Sequence, residues 1–478
     1  MRLNIMKFSF TIIIFISWSM LSTANDVQIS LEFPNYMNEF GHLCKNEMIS
    51  FNFTNAKIMS ISRNFISSPW ITCLNFTNTH LEIIEKGAFN NLPNLTQLIL
   101  SNNNLNVKKL FDFGGHENLK LLILNSATTF QKGTTVNIFE EYPNLEILSM
   151  PRNYIHRLQT STDKTPFPKL KILDLSGNNN INNNFLELLP NNLRFLDLHD
   201  NSLTSLAFAK RQVNLLALNL NNNNLVYVKK DNDSREHLYN LYNRRYRYNM
   251  YEQSSQSIIN SRGLIMTGLE NLQYLSISAN QINDIESNAF EDTNKLVYLN
   301  LSKNEITSLH SDIFEKLQSL RLLDLSSNKL KIVPQISNET VISIFSLNYN
   351  NIKNVMSNAF VQMPKLTKLL LRGNQIDEIN VKAFAQLSLL KILDLSKNKL
   401  SLLPEGFSES LTSLKYLNVE GNQFTSLESL SLTSVLSSME VYVAMNPIKY
   451  LNVDYLKSLP QNLTVNLVQE SSFALEFR

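Results

Sequence analysis

"LRLLDLSSNKL", residues 320–330, places Leu320, Leu323, Leu325, Asn328 and Leu330 on the template L-x-x-L-x-L-x-x-N-x-L. The same template fits Leu145-Leu148-Met150-Asn153-Ile155, Leu193-Leu196-Leu198-Asn201-Leu203, Leu296-Leu299-Leu301-Asn304-Ile306 and Leu390-Leu393-Leu395-Asn398-Leu400. The asparagine slot recurs at 103, 153, 178, 201, 223, 280, 304, 328, 350, 374, 398, 422 and 446, with Ala127 a lapse and Ala56 and Thr79 in two weaker leading copies. Sixteen units result, spaced by 22–26 residues except for one gap of 57. Self-similarity at a fixed period decides an architecture before any local reading does.

The alternation in L-x-L has period two, so both leucines point to one face of a short strand. One such strand cannot bury them alone, and stacked neighbours make a continuous core. The slot asparagine carries both donor and acceptor, so in register these amides form a ladder along the turns, with Thr79 and Ala127 as its weak rungs. A second apolar pair recurs half a repeat later, at Ala88-Phe89, Ala289-Phe290, Ile313-Phe314, Ala359-Phe360 and Ala383-Phe384.

These motifs resemble the extracellular leucine-rich repeat family, whose common unit is about 24 residues, over roughly residues 49–451. The pattern is similar to that of secreted leucine-rich immune proteins of insects and of Toll and chaoptin-like ectodomains. The resemblance implies an α/β repeat solenoid: a curved right-handed superhelix with a concave parallel β-sheet and an irregular or short-helical convex side. We expect a signal peptide at 1–24, an N-terminal cap at 25–48, a solenoid at 49–460 interrupted by a loop at 229–262, and a C-terminal cap or end at 461–478.

The signal reading rests on Arg2 and Lys7, the apolar run from Phe8 to Leu21 and the small residues Ser22-Thr23-Ala24. That run is too short to span a bilayer, and no later stretch is long and apolar enough. In an exported protein the only two cysteines, Cys44 and Cys73, are expected to pair and to pin the N-terminal cap over the first repeat. Seven N-x-[ST] sequons mark Asn52, Asn75, Asn94, Asn232, Asn300, Asn338 and Asn462 as candidate glycan acceptors. Asn75 and Asn300 sit between the apolar residues of L-x-L and so face the concave side.

No motif for a nucleophile, a phosphate loop or a metal centre occurs, so catalytic residues, cofactors and metal ligands are expected to be none. Asp174, Asp197, His199 and Asp200 are expected to meet on the concave face as a polar contact patch or weak cation site, although L-D-L is also the repeat's default. Between the concave sequons lie Ile99, Leu121, Ile123, Ile147 and Ile172. They read as an apolar partner-binding patch or, equally, as side chains packed between strands.

The gap of 57 carries 33 extra residues, placed at about 229–262. That stretch holds seven Lys/Arg against four acids and five of the chain's sixteen tyrosines, concentrated at Arg244-Arg245-Tyr246-Arg247. Arg interleaved with Tyr suits a contact surface. The expected function is a secreted, non-enzymatic recognition protein that binds an extracellular protein partner, in immunity or extracellular signalling. Alternatives are a cell-adhesion or matrix protein, and a sensor of nucleic acid or other anionic ligands through the basic loop.

Overall fold

A computed structural model describes residues 49–468 except 131–133, 161–164, 180, 209–211, 213, 231–262, 436–437 and 462. The expected signal and cap (1–48), Cys44, Asn232, Asn462, Arg244, Arg245, Tyr246 and Arg247 lie outside the described residues. All described residues belong to one compact unit, His42–Gln469.

The L-x-L segments form seventeen parallel strands in a single sheet. Ser50–Asn52 pairs with Cys73–Asn75 at one end, and Met439–Tyr442 pairs with Leu463–Asn466 at the other. Register is set by the repeat: Leu299 lies opposite Leu323, and Leu393 opposite Leu417. The leucines of the template are buried in one continuous core that runs from Ile61 to Val443. Phe89, Phe290, Phe314, Phe360 and Phe384 fill its far side. Phe360 and Phe384 stack with centroids 6.1 Å apart, which joins successive repeats behind the sheet. The seventeenth strand shows that the solenoid continues into the segment expected to be a C-terminal cap or end.

The asparagine ladder is present. Asn328 Nδ2 donates to the carbonyls of Leu301 (2.9 Å) and Leu325 (3.1 Å), and its Oδ1 accepts from Ile306 N (3.0 Å). One side chain thus satisfies backbone groups of two repeats that the strands leave open. The weak rungs are repaired locally. Thr79 Oγ1 donates to Phe76 O at 3.1 Å, in place of an amide. At Ala127 the N–H of Leu105 donates to the backbone carbonyl of Ala127 itself, at 2.9 Å.

The convex side is mostly turns with little helix, as expected, and it also carries short parallel ladders. These pair Ser60–Ile61 with Ile83–Ile84, Thr134–Ile138 with Ile155–Thr160, and Asn354–Val355 with Glu378–Ile379. The fourth ladder frames the insertion. The strand Tyr227–Lys229 pairs on one side with Asp284–Ile285 and on the other with Gly263–Ile265. Gly263–Ile265 in turn meets Leu206 of the preceding repeat through Leu206 N to Gly263 O and Ile265 N to Leu206 O, both 2.9 Å. The chain returning from the insertion therefore runs backward and wedges between Leu206 and its own outgoing strand. Gly263 permits this approach, because a Cβ there would sit 2.6 Å from the Tyr227 carbonyl. Lys229 and Lys230 belong to the scaffold rather than to the loop: Lys229 ends the strand, and Lys230 Nζ contacts Glu291 (2.9 Å) and Asp292 (3.0 Å).

Candidate functional site

The concave face is built from the positions that flank the buried leucine of each strand. Ile99, Leu121 and Ile123 occupy such positions outside the continuous core, yet each is only 4–5 % exposed. Strands about 4.8 Å apart let these side chains cover one another, so the packing reading holds for these three and the exposed-patch reading is corrected. Ile147 and Ile172 remain half-buried. They lie opposite each other in register, and Phe195 continues the row on the next strand. Phe195 was not among the expected contact residues. Its only sequence signal is its place in F-L-D-L, where the two preceding repeats carry isoleucine and the next carries Ala217.

Charge flanks this row on both sides. At the strand starts, Lys171 pairs with Glu146 at 2.6 Å, with Arg194 one repeat further along. At the strand ends, Asp174 and Asp197 face each other in register. His199 Nδ1 lies 2.7 Å from Asp197 Oδ1, and its Nε2 lies 3.7 Å from Asp200 Oδ2. Asn219 Nδ2 donates to Asp197 Oδ2 at 3.2 Å, and Ser149 and Ser176 donate to Asp174. The expected meeting of these four residues is thus observed.

Burial, together with the charge of Asp197, holds the Asp174 carboxyl above its ordinary range, against the hydrogen bonds from Ser176 and Ser149. Burial pulls His199 down, but its bond to Asp197 and the charges of Asp197, Asp200 and Asp174 outweigh that and raise it. No group of three or more His, Cys, Asp or Glu residues among the described residues converges as a metal site. Beside the cluster, an open depression of about 510 Å³ on the turn rim is lined by Arg152, Tyr154, Gly177, Asn179, Asp200 and Asn222.

Of the sequons, Asn52, Asn94 and Asn338 are exposed, while Asn75 and Asn300 are half-buried at concave positions. Thr77 Oγ1 donates to Asn75 Oδ1 at 2.6 Å, and Asn94 Nδ2 donates to Pro69 O at 2.6 Å. Cys73 is fully buried at the start of the second strand. No described helix is long and apolar enough to cross a membrane.

Family comparison agrees with this geometry. The model "Leucine rich repeat" matches residues 270–330 and 364–424, and "BspA type Leucine rich repeat region (6 copies)" matches residues 60–191. The chain belongs to the leucine-rich repeat family. Among solved structures, a TLR13–ssRNA13 complex is 19 % identical, with a TM-score of 0.43 over 87 % of this chain and 76 % of that one. A Leptospira interrogans LRR protein is 22 % identical, with a TM-score of 0.48 over 84 % of this chain and 96 % of that one. No curated protein matches the chain significantly. The family and its fold are those of binding scaffolds, typically without enzymatic activity, and its repeats imply protein–protein recognition.

Proposed function

We propose that this chain is a secreted, non-enzymatic recognition protein that binds an extracellular protein, in immunity or extracellular signalling, through the concave face of the three repeats whose slot asparagines are Asn153, Asn178 and Asn201. The observation that carries this reading is the row Ile147, Ile172 and Phe195, the part of the apolar concave stretch that keeps accessible surface, set between a basic and an acidic margin. An apolar centre with a charged rim is the anatomy of a protein interface. Glycans on Asn75 and Asn300 would flank this region and leave it open. Export is supported by the sequence features of residues 1–24 and by the sequons. It also accounts for a Cys44–Cys73 bridge, whose Cys73 end lies buried at the start of the second strand.

The test is capture of partners from extracellular fluid with the purified mature chain, wild type against Ile172→Asp. We expect the variant to be secreted and folded and to lose the captured protein. Capture unchanged by the substitution would refute the concave site. Mass spectrometry of unreduced protein should find Cys44 and Cys73 in one linked peptide pair, whereas two alkylatable thiols would refute the bridge.

A further inference from the structure

On the convex side, the ladder Ser60–Ile61/Ile83–Ile84 stops after two strands, and the reason is local. Further along the solenoid, Asp377 N donates to Lys353 O (3.0 Å) and Asn380 N to Val355 O (2.9 Å), three and six residues beyond the slot asparagine 374. The same register would send the N–H groups of Asn106 and Lys109 to the carbonyls of Glu82 and Ile84. They do not go there. Asn106 caps a single 3-10 turn, Val107–Lys109: its side chain accepts from Lys108 N, and Lys109 N turns back to Asn106 O at 2.9 Å. The outer edge of Ile83–Ile84 is thereby left with the Glu82 and Ile84 carbonyls bonded to no described backbone group. An unpaired strand edge is a template for another strand.

That edge opens onto a groove of about 480 Å³, floored by Leu105, Leu110 and Phe111. Its two lips are Ile83, 59 % exposed, and Phe139, 60 % exposed. An ion pair between Lys86 and Glu140 at 3.0 Å spans between them across two repeats. Setting that pair aside, the lining carries Glu82 and Asp112 against Lys109, a net negative margin.

We propose that this groove binds an extended segment of a protein partner as an added strand on Ile83–Ile84, with apolar side chains at alternate positions and a basic residue facing Glu82 and Asp112. The segment's N–H groups would take up the Glu82 and Ile84 carbonyls. Its apolar side chains would lie between Ile83 and Phe139. Main-chain bonds supply affinity and alternate side chains supply specificity in this mode of recognition. The site is on the opposite side of the sheet from the concave row, so it goes beyond the reading above and stands or falls independently of it.

The experiment pans the mature chain against a phage-displayed library of short unconstrained peptides. Selected peptides are then titrated against wild type, the double variant Ile83→Glu/Phe139→Glu, and Ile172→Asp. We expect peptides with alternating apolar residues and a basic residue, at least about tenfold weaker on the double variant and unchanged on Ile172→Asp. N-methylation of alternate peptide nitrogens should abolish binding to wild type, an arm that does not depend on the double variant folding. Peptides indifferent to the double variant, weakened by Ile172→Asp, or insensitive to N-methylation at every position would overturn the proposal. So would self-association of the chain that the double variant dissolves, since the groove would then belong to a second copy.

Discussion

The residue before the slot asparagine holds a left-handed backbone in all sixteen repeats, from Asn55 (φ 64°) to Met445 (φ 58°), with glycine only at 177, 373 and 421. For an ordinary L-residue this conformation costs about 1–2 kcal/mol, and the turn that carries the ladder imposes it wherever the ladder runs. Ala279→Gly, at φ 53°, should therefore stabilise the fold by about 0.5–1 kcal/mol, the gain being reduced by the greater freedom of glycine in the unfolded chain. Gly373→Ala should destabilise, because its Cβ would stand 2.5 Å from the Tyr349 ring at φ 70°. Asn328→Ala removes a buried amide that serves two repeats and should cost about 1–3 kcal/mol. Urea unfolding followed by circular dichroism ranks the three. The slot asparagine was legible in the sequence because one residue type combines the donors and acceptor the turn needs. The strained position before it was not, because Arg152, Tyr349 and Met445 give no hint of a turn that glycine would have signalled.

At the scale of a strand, alternation told correctly which residues face the concave side, but not which of them water reaches. Single-strand reasoning cannot see the neighbour that covers Ile123, and so Ile123→Asp should behave as a core substitution, costing ~3 kcal/mol or more and lowering secretion. Ile147→Asp, in the half-buried row, should leave secretion intact and weaken partner capture. If the two variants behave alike, the division drawn here between packed and accessible concave residues is wrong. The acidic margin adds a dependence on pH. His199 is raised from 6.5 in the folded chain, so its contribution is full below about 6.5 and is lost as pH rises through the higher folded value. Asp174 is raised from 3.8; its carboxyl ionises more readily once unfolded, so it too favours the fold at low pH and loses that contribution as pH rises through its folded value. Of the two, His199 makes strands Ile172–Asp174 and Phe195–Asp197 hold better in mild acid than in mild alkali, because its change lies above 6.5. Opening free energies from amide exchange, corrected for the intrinsic rate at each pH, should be higher at pH 6 than at pH 8 in these strands. His199→Gln should remove the part of that difference that lies near neutrality, and an unchanged profile would show that His199 is not its source.

For the whole molecule, the period alone gave the fold and the sixteen copies. The alternation in Leu463-Val465-Leu467 was legible as one possible cover for the last edge, beside an uncapped end or a partner. No slot asparagine follows to mark it as a repeat, yet Leu463–Asn466 forms the seventeenth strand. The wedge was missed because a chain re-entering a solenoid is expected to go forward. Gly263–Ile265 goes back, between Leu206 and Tyr227–Lys229. This has a consequence for the basic loop. Substituting Arg244, Arg245 and Arg247 by Ser should leave the melting temperature nearly unchanged, because the scaffold closes on both sides of the loop without it. If those arginines attract an anionic surface, the same substitutions should weaken ligand binding and flatten its salt dependence, since salt screens such a field over about 8–10 Å. A cut within Arg244–Arg247 goes further. It gives one fragment ending in the loop and another whose strand Gly263–Ile265 stays hydrogen-bonded between two segments of the first. The following strand, Tyr274–Ser276, also pairs with Ala217–Asn219 across the same boundary. Two ladders and a shared core thus bind the fragments. Trypsin at limiting concentration should yield two bands under denaturing conditions and a single particle of unchanged size by native chromatography, with the melting temperature lowered by no more than a few degrees. Adding Gly263→Glu should break the wedge and lower the melting temperature of the cut protein further, while the ladder between Ala217–Asn219 and Tyr274–Ser276 and the shared core still hold the fragments together. Separation of the cut wild-type protein would show that neither the two ladders nor the shared core hold the fragments.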